Sequence, residues 1–108
     1  MIYCFDIDGT ICNQVLKDYT KAKPFINKIN KINKLHDQGH TIIFFTSRFM
    51  GRNNDNVTKA YEEGYEFTLN QLKKWNVKFH KLYLGKPRYD SIIDDKSIFY
   101  DKNWEKFL

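Results

Sequence analysis

Two aspartates, Asp6 and Asp8, stand at the end of an apolar stretch that opens the chain, and Gly9 follows them at once. Residues 2–5 and Ile7 are β-branched, aromatic or otherwise apolar, which is typical of a buried strand. A buried carboxylate costs several kcal/mol unless a cation or hydrogen bonds compensate it. In open α/β sheets, ligands bind at the carboxyl ends of strands. We therefore predict that both aspartates lie at the mouth of a binding site, with a cation beside them.

Three further groups of polar residues follow apolar stretches later in the chain. Thr46 ends a second apolar stretch, Lys86 stands two residues after a third, and Asp94 and Asp95 follow a fourth, the short run 91–93. The carboxyl ends of parallel strands meet at one edge of a sheet. We therefore expect these residues to face one crevice, together with the two N-terminal aspartates.

The elements that must position these residues begin with a βαβ unit. A helix is predicted from about residue 24 to 38, because apolar residues recur there at spacings of three and four. Gly39 is placed to cap its C-terminus. The run 41–46 is a second strand, so the order strand, helix, strand predicts a parallel sheet with a right-handed crossover.

The second half of the chain is predicted to contain shorter elements. Residues 11–23 and 49–64 are read as loops, the second being long, polar and rich in Gly and Asn. A second helix is expected at 66–75, a third strand around 81–84 and a fourth at 91–93. In the tail, a short helix is expected to pack back through Trp104, Phe107 and Leu108.

Bulk properties fit one small domain. The chain has 108 residues and a formal charge of +5, which fits an anionic substrate without demanding one. Much of the excess charge is explained by a solvated face of the first helix. Cys4 and Cys12 do not suggest a disulfide framework, and Cys4 is interpreted as a small core residue. The N-terminus resembles neither a signal peptide nor a membrane span, so we expect a soluble, cytoplasmic protein with no membrane partner.

The sequence Asp-Ile-Asp-Gly-Thr at residues 6–10 resembles the first motif of the haloacid dehalogenase (HAD) superfamily of phosphohydrolases. Thr46, Lys86 and the Asp94-Asp95 pair match the other three motifs in order and type. The resemblance implies an α/β, Rossmann-like (HAD-type) three-layer sandwich with a small, mostly parallel sheet. Neither predicted loop has room for a cap domain, so residues 1–108 are expected to form a single capless phosphatase domain.

The same resemblance implies a role for each motif residue in a magnesium-dependent phosphatase. Asp6 would be the nucleophile, forming an aspartyl phosphate, and a magnesium ligand. Asp8 would act as general acid and base, and its backbone carbonyl would contact the metal. Thr46 would hydrogen-bond a phosphoryl oxygen and Lys86 would pair with the phosphate. Asp94 would ligate magnesium, directly or through water, with Asp95 supporting it; magnesium prefers such oxygen ligands.

A closer resemblance, to the short capsule-polysaccharide-biosynthesis phosphatases, is carried by Phe-Thr-Ser-Arg at 45–48, Leu-Gly-Lys-Pro at 84–87 and Ile-Asp-Asp-Lys at 93–96. It implies a small phosphorylated sugar, polyol or amino alcohol as substrate. The loop 49–64 is then expected to be a mobile flap over the substrate, and a contribution from a second subunit of a homo-oligomer stays open. The expected substrate contacts are Gly9, Thr10, Ser47, Arg48, Arg52, Lys59 and Arg88.

Taken singly, these residues also have ordinary structural interpretations. Asp-x-Asp-Gly can form an Asx turn, Thr46 can simply end a strand, Lys86 can be a solvated loop residue, and Asp94-Asp95 can cap a turn. The loop cations can likewise be solvated. A calcium loop of the EF-hand type is excluded, because its glycine stands sixth, whereas Gly9 is fourth from Asp6. The three histidines lack metal-like spacing.

Two other functions stay open at this point. A nucleic-acid end phosphatase would suit a basic chain with an open site, but no basic and aromatic platform can be assigned to one face. A non-catalytic module that binds magnesium or phosphate is the second alternative. The intact set of Asp6, Asp8 and Lys86 argues for the enzyme instead.

Overall fold

A computed structural model describes residues 1–108, and its three strands form one parallel sheet in the order β1-β2-β3. This architecture confirms the α/β, Rossmann-like class predicted from the sequence. No helix is long and apolar enough to cross a membrane. The strands and α-helices, in chain order, are β1 (Ile2–Phe5), α1 (Ile26–Asp37), β2 (Thr41–Phe45), α2 (Val57–Lys74) and β3 (Lys81–Tyr83).

The central strand, β2, carries the centre of the core. Ile42 and Phe44 are fully buried, and the Phe44 ring lies 6.1 Å from Phe5 on β1 and 5.7 Å from Phe79 just before β3. Each aromatic side chain of this kind buries a large apolar area, and the contacts between rings add to that stabilisation. Because all three strands run parallel, their carboxyl ends lie at the same edge of the sheet.

Helix α1 follows the predicted pattern. Ile29, Ile32 and Leu35 are buried, as their spacing of three requires. Gly39 has a φ of +93° and its N–H donates to the carbonyl of His36, so it ends the helix as predicted. The helix therefore returns the chain to the start of β2, and the βαβ unit is confirmed.

Helix α2 begins much earlier than predicted, so the interpretation of residues 57–64 as loop is wrong. Asn56 caps the helix by accepting a hydrogen bond from the N–H of Lys59, at 3.0 Å. Gly64 is buried against Phe49, and a Cβ there would overlap the Phe49 ring. The first turns bury Ala60 and Gly64, which have too little apolar surface to give the sequence a helical stripe. Only residues 49–56 are left for a flap.

The predicted fourth strand, 91–93, is not formed. Residues 87–103 are exposed throughout, and Ile93 is 100% exposed. Asp94 instead closes a local turn: its side chain accepts from the N–H of Lys96 at 2.9 Å and its carbonyl from the N–H of Ser97 at 3.2 Å. Such local hydrogen bonds compete with strand pairing, and three residues offer little apolar area in return.

The prediction that Cys4 is a core residue is wrong. Strand side chains alternate between the two faces of the sheet, and Cys4 shares with the exposed Ile2 the face opposite the buried Phe5. The tail reaches β1 only further on, where the buried Trp104 ring lies 5.2 Å from Phe5. Leu108 packs against the core, as expected, whereas Phe107 is 69% exposed, contrary to the prediction.

Candidate active site

The first motif forms a tight loop directly after β1. The buried Ile7 accepts hydrogen bonds through its carbonyl from the N–H groups of Thr10 and Ile11, at 3.0 and 2.9 Å. Gly9 has a φ of +82°, which glycine adopts without strain. Two of the predicted substrate contacts lie in this turn, and the tail holds both: Tyr100 donates to the carbonyl of Gly9, and Trp104 donates to that of Thr10.

Asp6 and Lys86 meet at the carboxyl edge of the sheet. The Lys86 Nζ lies 3.6 Å from the Asp6 Oδ1, and the Asp6 side chain is 38% exposed, so solvent and a ligand can reach it. Burial raises the pKa of Asp6 and the Lys86 ammonium lowers it, leaving the pKa above its ordinary value. Burial alone would lower the pKa of Lys86, but Asp6 and Tyr89 outweigh it and raise that pKa. The edge therefore presents a carboxylate beside a lysine that stays charged.

Thr46 joins this pair to β2. It is 1% exposed, and its carbonyl accepts a hydrogen bond from the backbone N–H of Lys86 at 3.2 Å. Its Oγ1 accepts from the N–H of Arg48 at 3.1 Å, which leaves the hydroxyl proton free to be donated. Ser47, a predicted substrate contact, accepts through its carbonyl from Met50 in the turn that follows. The structure thus brings three of the predicted motif residues together: Asp6, Thr46 and Lys86.

Asp8 is engaged by Arg48, which the sequence had suggested as a substrate contact. The Nε and Nη2 of Arg48 donate to the two carboxylate oxygens of Asp8, both at 2.9 Å. The third nitrogen, Nη1, donates to Gln71 Oε1 at 2.6 Å, and the guanidinium carbon lies 4.6 Å from the centre of the Tyr19 ring. Arg48 is 1% exposed, so it is not open to a substrate in this arrangement.

Sequence reasoning missed Gln71 and Tyr19 because no local signal marks them. Gln71 lies inside α2 and Tyr19 in the loop between β1 and α1, and a further hydrogen bond joins them: Gln71 Nε2 donates to the Tyr19 carbonyl at 2.7 Å. Their partner Arg48 lies more than twenty residues from either. Only folding brings the three side chains together.

Neither cysteine is suited to act as a nucleophile. Burial and the neighbouring Asp8 carboxylate raise the pKa of Cys12 to about 12, and the Cys12 Sγ lies 3.5 Å from Asp8 Oδ1. Burial also raises the pKa of Cys4. The thiolate is the reactive form of cysteine, so both residues are inert near neutral pH.

The remaining predicted substrate contacts are exposed cations with other partners nearby. Arg52 donates to the Lys17 carbonyl at 2.6 Å, and Arg88 forms a two-point ion pair with Asp55 at 2.8 and 3.0 Å. Lys59 is exposed in the first turn of α2. These exposed pairs contribute little free energy and exchange readily with a ligand.

A cleft of about 590 Å³ lies between the loop after β1 and the start of the 49–56 segment. Its Tyr19 ring also covers the Arg48 guanidinium, so Tyr19 and Arg48 both stand between the cleft and Asp8. The Tyr19 and Phe49 rings and the Arg52 guanidinium give it both apolar and cationic surface. The residues that line it are Leu16, Lys17, Tyr19, Phe49, Gly51 and Arg52.

The donor set expected for magnesium is not assembled in this arrangement. Asp94 and Asp95 are exposed and lie in their own turn, and no group of three or more His, Cys, Asp or Glu side chains could hold a metal ion. Of the expected carboxylates, Asp6 is accessible while Asp8 is held by Arg48. The expected carboxylates are therefore not gathered around one point in this arrangement.

Comparison with known proteins bears on the fold. No family model and no curated protein matches the chain. A crystal structure of a target protein from Vibrio cholerae is similar to it, with a TM-score of 0.83 and 27% sequence identity over 90% of this chain and 81% of that chain. The description of that protein names no activity, so the similarity supports the architecture of the sheet and its helices.

Proposed function

We propose that the chain is a phosphomonoester hydrolase that works through an aspartyl phosphate on Asp6. The observation that carries this proposal is the Asp6–Lys86 pair at the carboxyl edge of a parallel sheet. Asp6 is partly exposed, so a phosphorylated ligand can reach it, and Lys86 is charged, so it can neutralise phosphoryl oxygens that would otherwise repel the carboxylate. The resemblance to HAD phosphohydrolases supports the same reaction.

The reaction has two steps with balanced bonds. An Asp6 oxygen attacks phosphorus, the bond from phosphorus to the leaving oxygen breaks, and that oxygen takes a proton from solvent to become an alcohol. Water then attacks phosphorus and loses a proton, and the bond to Asp6 breaks. This second step releases inorganic phosphate and restores the carboxylate. Lys86 stays paired with the phosphoryl oxygens, and the buried Thr46 holds Lys86 in place by accepting a hydrogen bond from its backbone N–H.

The substrate class rests on the resemblance to capsule-polysaccharide-biosynthesis phosphatases. That resemblance implies a small phosphorylated sugar, polyol or amino alcohol. Magnesium is part of the proposal through the resemblance alone. Because its donors are not gathered in this arrangement, no step of the mechanism is assigned to it.

Replacing Asp6 with asparagine tests the proposal. Asp6→Asn keeps the shape of the side chain but removes its nucleophilic oxygen, so hydrolysis of phosphomonoesters should fall to the assay background while the protein stays folded. The measurement is phosphate release from a panel of sugar, polyol and amino-alcohol phosphates, with a phosphorylated oligonucleotide included.

A matched control is Asp37→Asn, which makes the same change on an exposed aspartate at the far end of α1. That variant should keep the activity of the native chain. Equal activity in the native chain and Asp6→Asn would remove Asp6 as nucleophile. Release from the oligonucleotide alone would point to a nucleic-acid end phosphatase.

A further inference from the structure

A buried network holds the Asp8 carboxylate from three parts of the fold. Arg48, just beyond β2, donates to both Asp8 oxygens; Gln71 on α2 accepts from Arg48; and the Tyr19 ring in the loop after β1 covers the guanidinium. We propose that Arg48 is a positioning residue that holds Asp8 as the proton acceptor for the water that hydrolyses the aspartyl phosphate, and that Gln71 fixes Arg48 for this task. This inference rests on the proposed function.

Burial argues that Arg48 has a fixed structural partner and does not bind substrate. A buried guanidinium is costly unless it is paired and its donors are satisfied. Here every donating nitrogen has a partner, since Nε and Nη2 reach Asp8 and Nη1 reaches Gln71 at 2.6 Å. The Asp8 side chain is 15% exposed, so a water molecule can still reach it while its orientation is fixed.

The pairing also uses both oxygens of Asp8 as hydrogen-bond acceptors. The Nε and Nη2 of Arg48 donate one hydrogen bond to each oxygen at 2.9 Å. An acceptor held in a fixed orientation is what taking a proton from water requires. Asp8 stands two residues after Asp6 in the chain, and its charge contributes to raising the pKa of Asp6.

The step assigned to Asp8 is therefore the second one. Water attacks phosphorus while its proton passes to an Asp8 oxygen, and the bond from phosphorus to Asp6 breaks as Asp6 recovers its charge. The proton then leaves Asp8 for solvent. If Arg48 no longer holds Asp8, formation of the aspartyl phosphate should persist while its hydrolysis slows.

Two variants test this assignment. Arg48→Lys keeps a positive charge but cannot reach both carboxylate oxygens, and Gln71→Leu removes only the partner of Nη1. The substrates are 4-nitrophenyl phosphate, whose leaving group needs no proton, and glycerol phosphate, whose leaving alkoxide does. Acid quenching after mixing with ³²P-labelled glycerol phosphate measures the covalent phosphoenzyme directly.

Arg48→Lys should slow turnover by roughly 10²-fold, the scale on which misplaced groups cost rate. Labelled phosphoenzyme should accumulate, and the two substrates should approach the same kcat because they share the slow step. Gln71→Leu should show the same pattern at a smaller scale. Lys78→Gln, which breaks the exposed ion pair with Asp37, should change none of these readouts.

Two results would overturn the inference. If Arg48 has only a structural role, the turnover rates of both substrates should fall by the same factor and no phosphoenzyme should accumulate. That factor should equal the loss of folded protein measured by circular dichroism. An acid role for Asp8 predicts that glycerol phosphate slows far more than 4-nitrophenyl phosphate. Failure of the proposed function gives a different result. The native chain would then acquire no ³²P label, and its activity would equal that of Asp6→Asn. In that case the inference would be wrong as well.

Discussion

The carboxyl ends of the three strands and the segment 87–103, which follows β3 in the chain, differ in how they are held. At the strand ends, Thr46 binds the backbone of Lys86 and Arg48 binds Asp8, so motif residues from β1, β2 and β3 are joined by hydrogen bonds. The segment 87–103 is exposed along its whole length. It is attached by surface hydrogen bonds from Arg88 to Asp55 and from Tyr100 to the Gly9 carbonyl, and the tail becomes buried again at Trp104. The side chains of the first region are therefore already held beside one another. Those of the second region have to move before they can join the first.

The difference divides the predicted site into two halves. The half with Asp6 and Lys86 is in place, but the half with Asp94 and Asp95 stays in a surface turn. The outer side of β1 has no neighbouring strand, while the apolar residues Ile92 and Ile93 have no core to join. Unpaired strand edges and exposed apolar residues are costly features that proteins usually cover.

Removing divalent cations should produce the largest effect if the two halves meet in the working protein. We expect phosphate release to be lost in excess chelator and restored by added Mg²⁺, because carboxylates and a phosphate need a cation among them. The double variant Asp94→Asn with Asp95→Asn should raise the Mg²⁺ concentration needed for half-maximal activity. An unchanged requirement in that variant would mean that the pair takes no part, as its place at the surface suggests.

Neutralising Lys86 tests the half that is already assembled. Lys86→Gln should lower kcat/KM by about 10²–10³-fold, the effect of removing one preorganised electrostatic partner. It also removes the charge that lowers the pKa of Asp6. That pKa should therefore rise, and the acid limb of a plot of kcat/KM against pH should move to higher pH. An acid limb that stays in place would show that Lys86 does not act on Asp6.

The same substitution in each region compares their packing. Ile42 in β2 is 0% exposed and Ile93 is 100% exposed. Ile42→Ala should lower the free energy of unfolding by about 2–5 kcal/mol, whereas Ile93→Ala should change it by less than about 0.5 kcal/mol. Urea denaturation measures both. A comparable loss for Ile93→Ala would show that residues 91–93 pack against the sheet in solution, and repeating the measurement with Mg²⁺ and phosphate would show whether ligands bring them there.

Much of the fold could be predicted because its signals are local. The spacing of Ile29, Ile32 and Leu35 indicates a helix, and the continuous apolar run before Thr46 indicates a buried strand. The start of α2 could not be predicted from periodicity, since Ala60 and Gly64 are buried by the fit of Phe49 against the helix. The prediction of a strand at 91–93 was wrong, because an apolar pattern alone does not provide a neighbouring strand to pair with.

The sequence by itself determined which groups could do chemistry: the order Asp6, Asp8, Thr46 and Lys86, and their places at strand ends, follow from residue type and spacing. Tertiary structure alone decided what each of them touches. Asp6 is open beside Lys86, whereas Asp8 is bound by a buried arginine that lies forty residues away in the chain and is held from α2. The physical reason is that strand periodicity fixes where a side chain leaves the sheet, but its partners come from segments brought together only when the core closes.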